Sequence, residues 1–162
     1  MSSDIFRSVE AHQRSFTRLR DQHAREMTED YVELIADLID HEGEARAVAL
    51  AERFGVTAAT VNNTVKRLER DGFVISKPYR AIFLTDAGRN LAEMCRTRHL
   101  LVRDFLIALG VAPDIADVDA EGIEHHVSEA TLTAFARFIA EGGPSSPNLP
   151  TRSPAPDSGE NS

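Results

Sequence analysis

A single cysteine, Cys95, among 162 residues removes two architectures at once. No intrachain disulfide can form and no multi-cysteine zinc site can be built, which fits a reducing compartment and leaves Cys95 a packing role. Long apolar runs are missing as well. Nothing approaches the roughly 18 residues of a membrane-spanning helix, and Met1 to Arg7 lacks the apolar core of a signal peptide. The expectation is a soluble, cytoplasmic protein with no membrane partner. Overall basic charge is absent too. A formal charge of −8 and a pI near 5.2 exclude a generic nucleic-acid coat and a polybasic membrane binder, because the molecule as a whole repels phosphate. Any DNA contact has to be locally basic. No internal repeat is visible, and the length suits one ordinary domain or two small ones sharing a core.

What is present is a dense acidic and imidazole stretch, Asp119-Ala120-Glu121-Gly122-Ile123-Glu124-His125-His126. Read as helix, Glu121, Glu124 and His125 stand three and four residues apart and share a face. With no Lys or Arg nearby in sequence, a cation would relieve their repulsion. Taken alone, the cluster also fits a solvated acidic face, so further ligands have to come from elsewhere.

In chain order, residues 1–25 allow an amphipathic helix through Ile5, Val9, Phe16 and Leu19, with His12 and His23 as surface histidines. Thr28 is placed to cap the next helix, Glu29 and Asp30 lie in its first turn, and Tyr31, Leu34, Ile35, Leu38 and Ile39 form its core stripe. Asp30 and Glu33 sit on another face, a commonplace pair unless Glu121 meets it.

Residues 45–54 and the segment after Gly55-Val56-Thr57 read as a helix-turn-helix. Gly55 supplies a left-handed turn residue, Val56 plugs the turn, and Thr57 caps a helix held to the core by Val61, Val65 and Leu68. The other face carries Thr57, Ala58, Thr60, Asn62, Asn63 and Lys66, groups small enough to enter a major groove. An ordinary packed helix pair is the alternative, but a merely solvated helix would more often carry Glu or Lys at its start. Residues 73–77 and 81–85 read as the strands of a wing around Pro78-Tyr79-Arg80. From Glu44 to Arg80 seven basic residues (Arg46, Arg53, Lys66, Arg67, Arg70, Lys77, Arg80) face four acidic ones (Glu44, Glu52, Glu69, Asp71), a local charge of +3 inside an acidic chain. Lys66, Lys77 and Arg80 are the phosphate candidates; Thr57, Ala58, Thr60 and Asn63 are the base-edge candidates.

Thr85 caps a long helix, about 86–109, whose Leu91, Met94, Leu101, Val102, Phe105, Leu106 and Leu109 offer more apolar surface than a small domain buries, so a homodimer is expected. His99 lies in mid-helix, where a lone histidine is usually structural. Gly110 to Pro113 breaks the chain, the acidic stretch follows, Ser128 caps a last helix through Leu132, Phe135, Phe138 and Ile139, and residues 142–162 read as a disordered tail.

Together, Glu29-Asp30-Tyr31-Val32-Glu33, Arg98-His99 and the stretch 119–126 resemble the manganese-responsive branch of the diphtheria-toxin-repressor family of metal-dependent repressors, over about residues 26–141. The resemblance implies a mainly α fold: an N-terminal arm (1–25), a winged helix-turn-helix DNA-binding domain (26–85), an α-helical metal-binding and dimerisation domain (86–141) and the tail. It further implies two Mn²⁺ per subunit, with Asp30, Glu33, His99, Glu121 and Glu124 around one ion and His125 joining shared carboxylates on the second. It also implies a palindromic double-stranded operator and repression of manganese uptake genes. Iron-responsive relatives carry Met in place of Asp30 and Cys in place of Glu124, so two hard oxygens here favour Mn²⁺, with Fe²⁺ admissible and Zn²⁺ a competitor. The rivals are a dinuclear metalloenzyme, for which no separate general acid or base is visible, and a metal-independent winged-helix regulator.

Overall fold

The first helix begins some twenty residues before Thr28. In the computed structural model, which describes residues 8–76 and 80–142, α1 runs unbroken from Val9 to Glu42, with the Ser8 hydroxyl accepting from the Ala11 N–H at its start. Thr28 is therefore no cap. Its Oγ1 donates to the Ala24 carbonyl one turn back, at 3.0 Å, as a threonine inside a helix does. The arm and the following helix are one element because residues 9–27, rich in Arg, Gln, Glu and Ala, hold nothing that stops a helix. Along the first half of α1, Val9, Phe16 and Leu19 remain exposed; along the second, Tyr31, Val32, Ile35 and Leu38 are buried.

The helix-turn-helix forms as its sequence dictates. α2 (Ala47–Phe54) ends at Gly55, whose φ of 65° is a left-handed conformation that side chains resist. Thr57 caps α3 (Ala58–Arg70) by accepting from the Thr60 N–H at 3.2 Å. Val61, Val65 and Leu68 are buried, as the spacing requires. Val56 does not plug the turn: it stays 39 % exposed, and Tyr31 stacked on Phe54 at 4.4 Å fills the space beside the turn instead.

The wing is shorter than the sequence suggests. β1 (Val74–Ile75) pairs antiparallel with β2 (Phe83–Leu84), Val74 opposite Leu84 and Ile75 opposite Phe83. An added bridge joins Ile82 to Ala45. Alternation survives, with Val74, Ile82 and Leu84 inward and Ile75 and Phe83 outward. Residues 77–79 and 143–162 lie outside the described residues, and the expectations for Lys77 and for the tail fall there.

α4 (Asp86–Ala108) is the spine. Thr85 caps it by accepting from Gly88 N–H while donating to the Gly72 carbonyl at 2.6 Å. Gly88 is the close-approach point: a Cβ there would stand 2.1 Å from the Phe73 carbonyl oxygen, so only glycine lets α4 settle against the hairpin. α4 packs on α1 first and then on α5 (Pro113–Ile123) and α6 (Glu129–Ala140), the latter capped by Ser128. Two cores result. One gathers α1, α2, α3, the hairpin and Ala92; the other is small, with Val102, Ala120 and Leu132 at its centre and Phe105 stacked on Phe135 at 3.8 Å. No described helix is long and apolar enough to cross a membrane.

Candidate metal centre and nucleic-acid interface

Three elements converge between the two cores. α1 contributes Glu29, Asp30 and Glu33, α4 contributes Arg98 and His99, and the end of α5 with the turn after it contributes Asp117, Glu121, Glu124 and His125. The expectation that 121, 124 and 125 share one helical face is corrected in part. α5 ends at Ile123, so Glu124 is its C-terminal cap, and His125 and His126 lie in the turn beyond. Release from the helix is what lets the His125 ring swing toward α1.

The contacts run in two chains. His99 Nδ1 lies 2.8 Å from Glu124 Oε2 and 3.5 Å from Glu121 Oε1, while its Nε2 lies 3.1 Å from Asp117 Oδ1. His125 Nδ1 lies 2.8 Å from Glu29 Oε2; its Nε2 lies 3.3 Å from Asp30 Oδ1 and 3.6 Å from Glu124 Oε1. Glu29, Glu124 and His125 are the buried polar residues among those described. Glu121 stays on the rim, its side chain 69 % exposed. Five of the six sequence candidates are linked by these contacts and Glu33 feels the charges of Glu124, Glu121, His125 and Asp30, yet among the described residues no three His, Cys, Asp or Glu close on a single ion position. His99 and His125 are instead engaged with Glu124, Asp117 and Glu29.

The electrostatics record an excess of negative charge. Burial, then the fields of Glu124 and Glu121, push the Glu33 carboxyl up to about 7. Burial also raises Glu124, against the pull of His125 and His99. Hydrogen bonds to Asp30 and Glu29 carry His125 up to about 10, and His99 is raised because its bond to Asp117 and the nearby Glu124 and Glu121 outweigh burial. Burial works against Glu29 too, but bonds from His125 and Arg98 overcome it and hold that carboxyl below its ordinary value. Protons and imidazolium charge compensate crowded carboxylates here, a role divalent cations fill better. The donors are oxygen and imidazole nitrogen. Cys95, fully buried, is driven by its burial up to about 12 and stays a thiol. This set fits a hard divalent ion.

Sequence reasoning missed Glu29, Arg98 and Asp117 as members of the site. Asp117 had a signal, since it lies one turn before Glu121 on the same face of α5. Glu29 and Arg98 had none that did not require the fold.

At the other end, α3 presents Thr57, Ala58, Thr60, Asn63 and Lys66 to solvent, all exposed, as is Arg80 beyond the hairpin tip. The Thr57 and Thr60 hydroxyls lie 3.0 Å apart and bond to each other. A groove lined in part by Arg46, Val48, Ala58, Asn62, Lys66 and Arg80 runs between α3 and the hairpin. Several of the basic residues are already neutralised locally: Arg46 by Glu44 at 2.6 Å, Arg53 by Glu42, and Arg70 by Asp71 at 3.6 Å.

Comparison with known proteins agrees with both halves of this arrangement. Residues 23–82 match the family described as iron dependent repressor, N-terminal DNA binding domain, and residues 85–142 match iron dependent repressor, metal binding and dimerisation domain. The transcriptional regulator MntR of Salmonella typhimurium is 50 % identical over 138 residues, 85 % of this chain and 88 % of that one. The HTH-type transcriptional regulator MntR of Oceanobacillus iheyensis is 39 % identical over 111 residues, 68 % of this chain and 76 % of that one. Among solved structures, a manganese-dependent transcriptional repressor in complex with manganese superposes with a TM-score of 0.63 at 30 % identity over 70 % of this chain and 52 % of that chain. The manganese regulator SloR does so with 0.60 at 28 %, over 70 % and 53 %. The chain spans about half the length of these two solved chains. A winged helix-turn-helix joined by one long helix to a dimerisation half, with a carboxylate and imidazole cluster at the joint, places this chain in the iron-dependent repressor family, a family of metal-responsive DNA-binding transcriptional regulators.

Proposed function

We propose that this chain is a manganese-responsive, cytoplasmic repressor that binds a palindromic operator as a homodimer and silences genes for manganese uptake. One observation carries the reading: donors from α1, an element of the DNA-binding half, face donors from α4 and α5, elements of the dimerisation half, across a buried and over-acidic joint. Asp30, Glu33, His99, Glu121 and Glu124 would hold one Mn²⁺, and His125 with shared carboxylates a second. When bound, the ions supply positive charge that the carboxylates otherwise draw from protons and imidazolium. Asp30 and Glu33 are thereby fixed relative to Glu121, Glu124 and His125, and the two reading heads of the dimer relative to each other. Thr57, Ala58, Thr60 and Asn63 would then meet base edges, with Lys66, Lys77 and Arg80 on phosphates. The all-oxygen and imidazole donor set admits Fe²⁺ and allows competition from Zn²⁺, so selection rests on geometry and supply.

The test is the anisotropy of a fluorescent palindromic operator with and without Mn²⁺. Wild type should bind about 5–150-fold more tightly with the ion, the usual range of an allosteric coupling. Glu124→Ala should lose that gain. Equal binding with and without Mn²⁺ defeats the proposal in favour of metal-independent regulation; phosphoester turnover without DNA binding favours a dinuclear hydrolase.

A further inference from the structure

One buried carboxylate of α1 is not among the proposed ligands. Glu29 is 4 % exposed, and a carboxylate taken that far from water is unstable without a partner. Two donors share its Oε2: Arg98 Nη2 from α4 at 2.5 Å, and His125 Nδ1 from the turn after α5 at 2.8 Å. Three elements thus meet on one oxygen. Arg98 is committed to this role. Its Nη2 also reaches Cys95 Sγ at 3.6 Å, and its Nε, buried, has no hydrogen-bond partner.

An imidazole can offer a lone pair to a metal from one ring nitrogen while the other bears the proton, and the acceptor of that proton decides which nitrogen does which. A carboxylate only accepts, so Glu29 keeps the proton on Nδ1. Nε2 is left facing Asp30 Oδ1 at 3.3 Å and Glu124 Oε1 at 3.6 Å, the oxygens of two proposed ligands.

We propose that Glu29, clamped by Arg98, is the positioning residue for His125: it fixes the Nδ1 proton and aims Nε2 at the Asp30 and Glu124 oxygens, so that this pair sets Mn²⁺ affinity at the second site without touching the ion. The assignment rests on the metal-responsive reading above. It also gives α1, α4 and the α5–α6 turn a shared point of contact.

The experiment uses the full chain and three readouts: Mn²⁺ titration followed by the paramagnetic resonance of the free ion, the Nδ1–H resonance of His125 in the metal-free protein, and metal-free thermal melting. Glu29→Gln should weaken the second Mn²⁺ by about 10–100-fold, leave the first ion bound, and remove the hydrogen-bonded Nδ1–H resonance of His125. Arg98→Met, which leaves Glu29 in place but unclamped, should show a smaller loss of the same sign. A purely structural role would lower the melting temperature while leaving the His125 Nδ1–H resonance and the second affinity unchanged, and that result overturns the proposal. So does tighter Mn²⁺ binding by Arg98→Met, since a freed Glu29 would then be a ligand itself. Should Glu29→Gln not fold, Glu29→Asp and Arg98→Met carry the same decision. Wild type that binds operator without regard to Mn²⁺ overturns the underlying reading; a normal wild-type response with an unaltered Glu29→Gln overturns only the role of Glu29.

Discussion

The two ends of the molecule are stabilised in different ways. Around α1–α3 and the hairpin, thirteen buried residues form one continuous apolar core, whereas the half built on α4–α6 centres on three, Val102, Ala120 and Leu132. Both halves leave large apolar side chains in solvent, Val9, Phe16, Leu19, Val48, Val56, Ile75 and Phe83 in the first and Met94, Leu100, Ile107, Leu109, Ile115 and Val118 in the second. In the second, such exposure suits a region whose family role is dimerisation. Between the two, the joint is polar: Glu29 with Arg98 and His125, and Arg96 with Asp37 at 2.8 Å and Asp40 at 3.6 Å. Apolar packing makes each part; charge governs how the parts meet. A regulator that answers to a cation needs that division, because charged contacts respond to an ion and apolar ones do not.

The two cores differ in how much each large side chain contributes. Leu68→Ala, in the dense core, should cost about 2–5 kcal/mol of stability, and Leu132→Ala roughly half as much, because the half-buried side chains around Leu132 can close over the gap. Urea denaturation of both variants checks the ranking, and equal costs would sink it. Gly88→Ala comes next. Its new methyl meets the Phe73 carbonyl, so the hairpin or α4 must shift, at about 1–3 kcal/mol. The same titration should show the loss, with Ala87→Gly, at the exposed neighbouring position of α4, as a control for helix propensity alone.

Much of the reading head was legible in the sequence for local reasons. Gly55 and Thr57, like Ser128 in the other half, act through contacts within three or four residues, and the stripe Val61-Val65-Leu68 needs only helical period. The joint was half legible. Asp30, Glu33, His99, Glu121, Glu124 and His125 came as a set from the family resemblance, and the structure pairs His99 with Glu124 and sets His125 beside Asp30 without closing three of them on one point among the described residues. What failed was anything requiring a partner far away in sequence. Glu29 read as a first-turn charge because Thr28 read as a cap; with the helix starting at Val9, Glu29 is a mid-helix residue whose partners lie 69 and 96 residues on. Gly88 carried no turn signal, since its reason is a carbonyl across the hairpin. Val56 looked apolar enough to bury, but Tyr31 and Phe54 had already filled the place.

The polar joint responds to pH through smaller changes in stability. In the metal-free chain Glu33 keeps its proton from its ordinary 4.5 up to about 7, where the unfolded chain has lost it. Stability should therefore fall as pH rises through that window. His125, lifted from 6.5 to about 10, adds stability that is whole below 6.5 and lost as pH climbs through its folded value. Both slopes have the same sign. Thermal melts in chelator between about pH 5 and about pH 9 should show a continuous decline, and Glu33→Gln should flatten its lower part while leaving the upper part in place. A protein that gains stability over this range would refute the assignment of both groups.

Because α1 is one uninterrupted rod of 34 residues, about 50 Å long at 1.5 Å per residue, it also behaves as a lever. Asp30 and Glu33 grip it nearer the end that enters the reading head, and the opposite arm is the longer one. A tilt of only a few degrees about that grip displaces the far tip by about 2 Å, the scale of a helix shift at a subunit interface. Events too small to notice at the fulcrum are thus magnified at Val9, where the rod reaches open solvent.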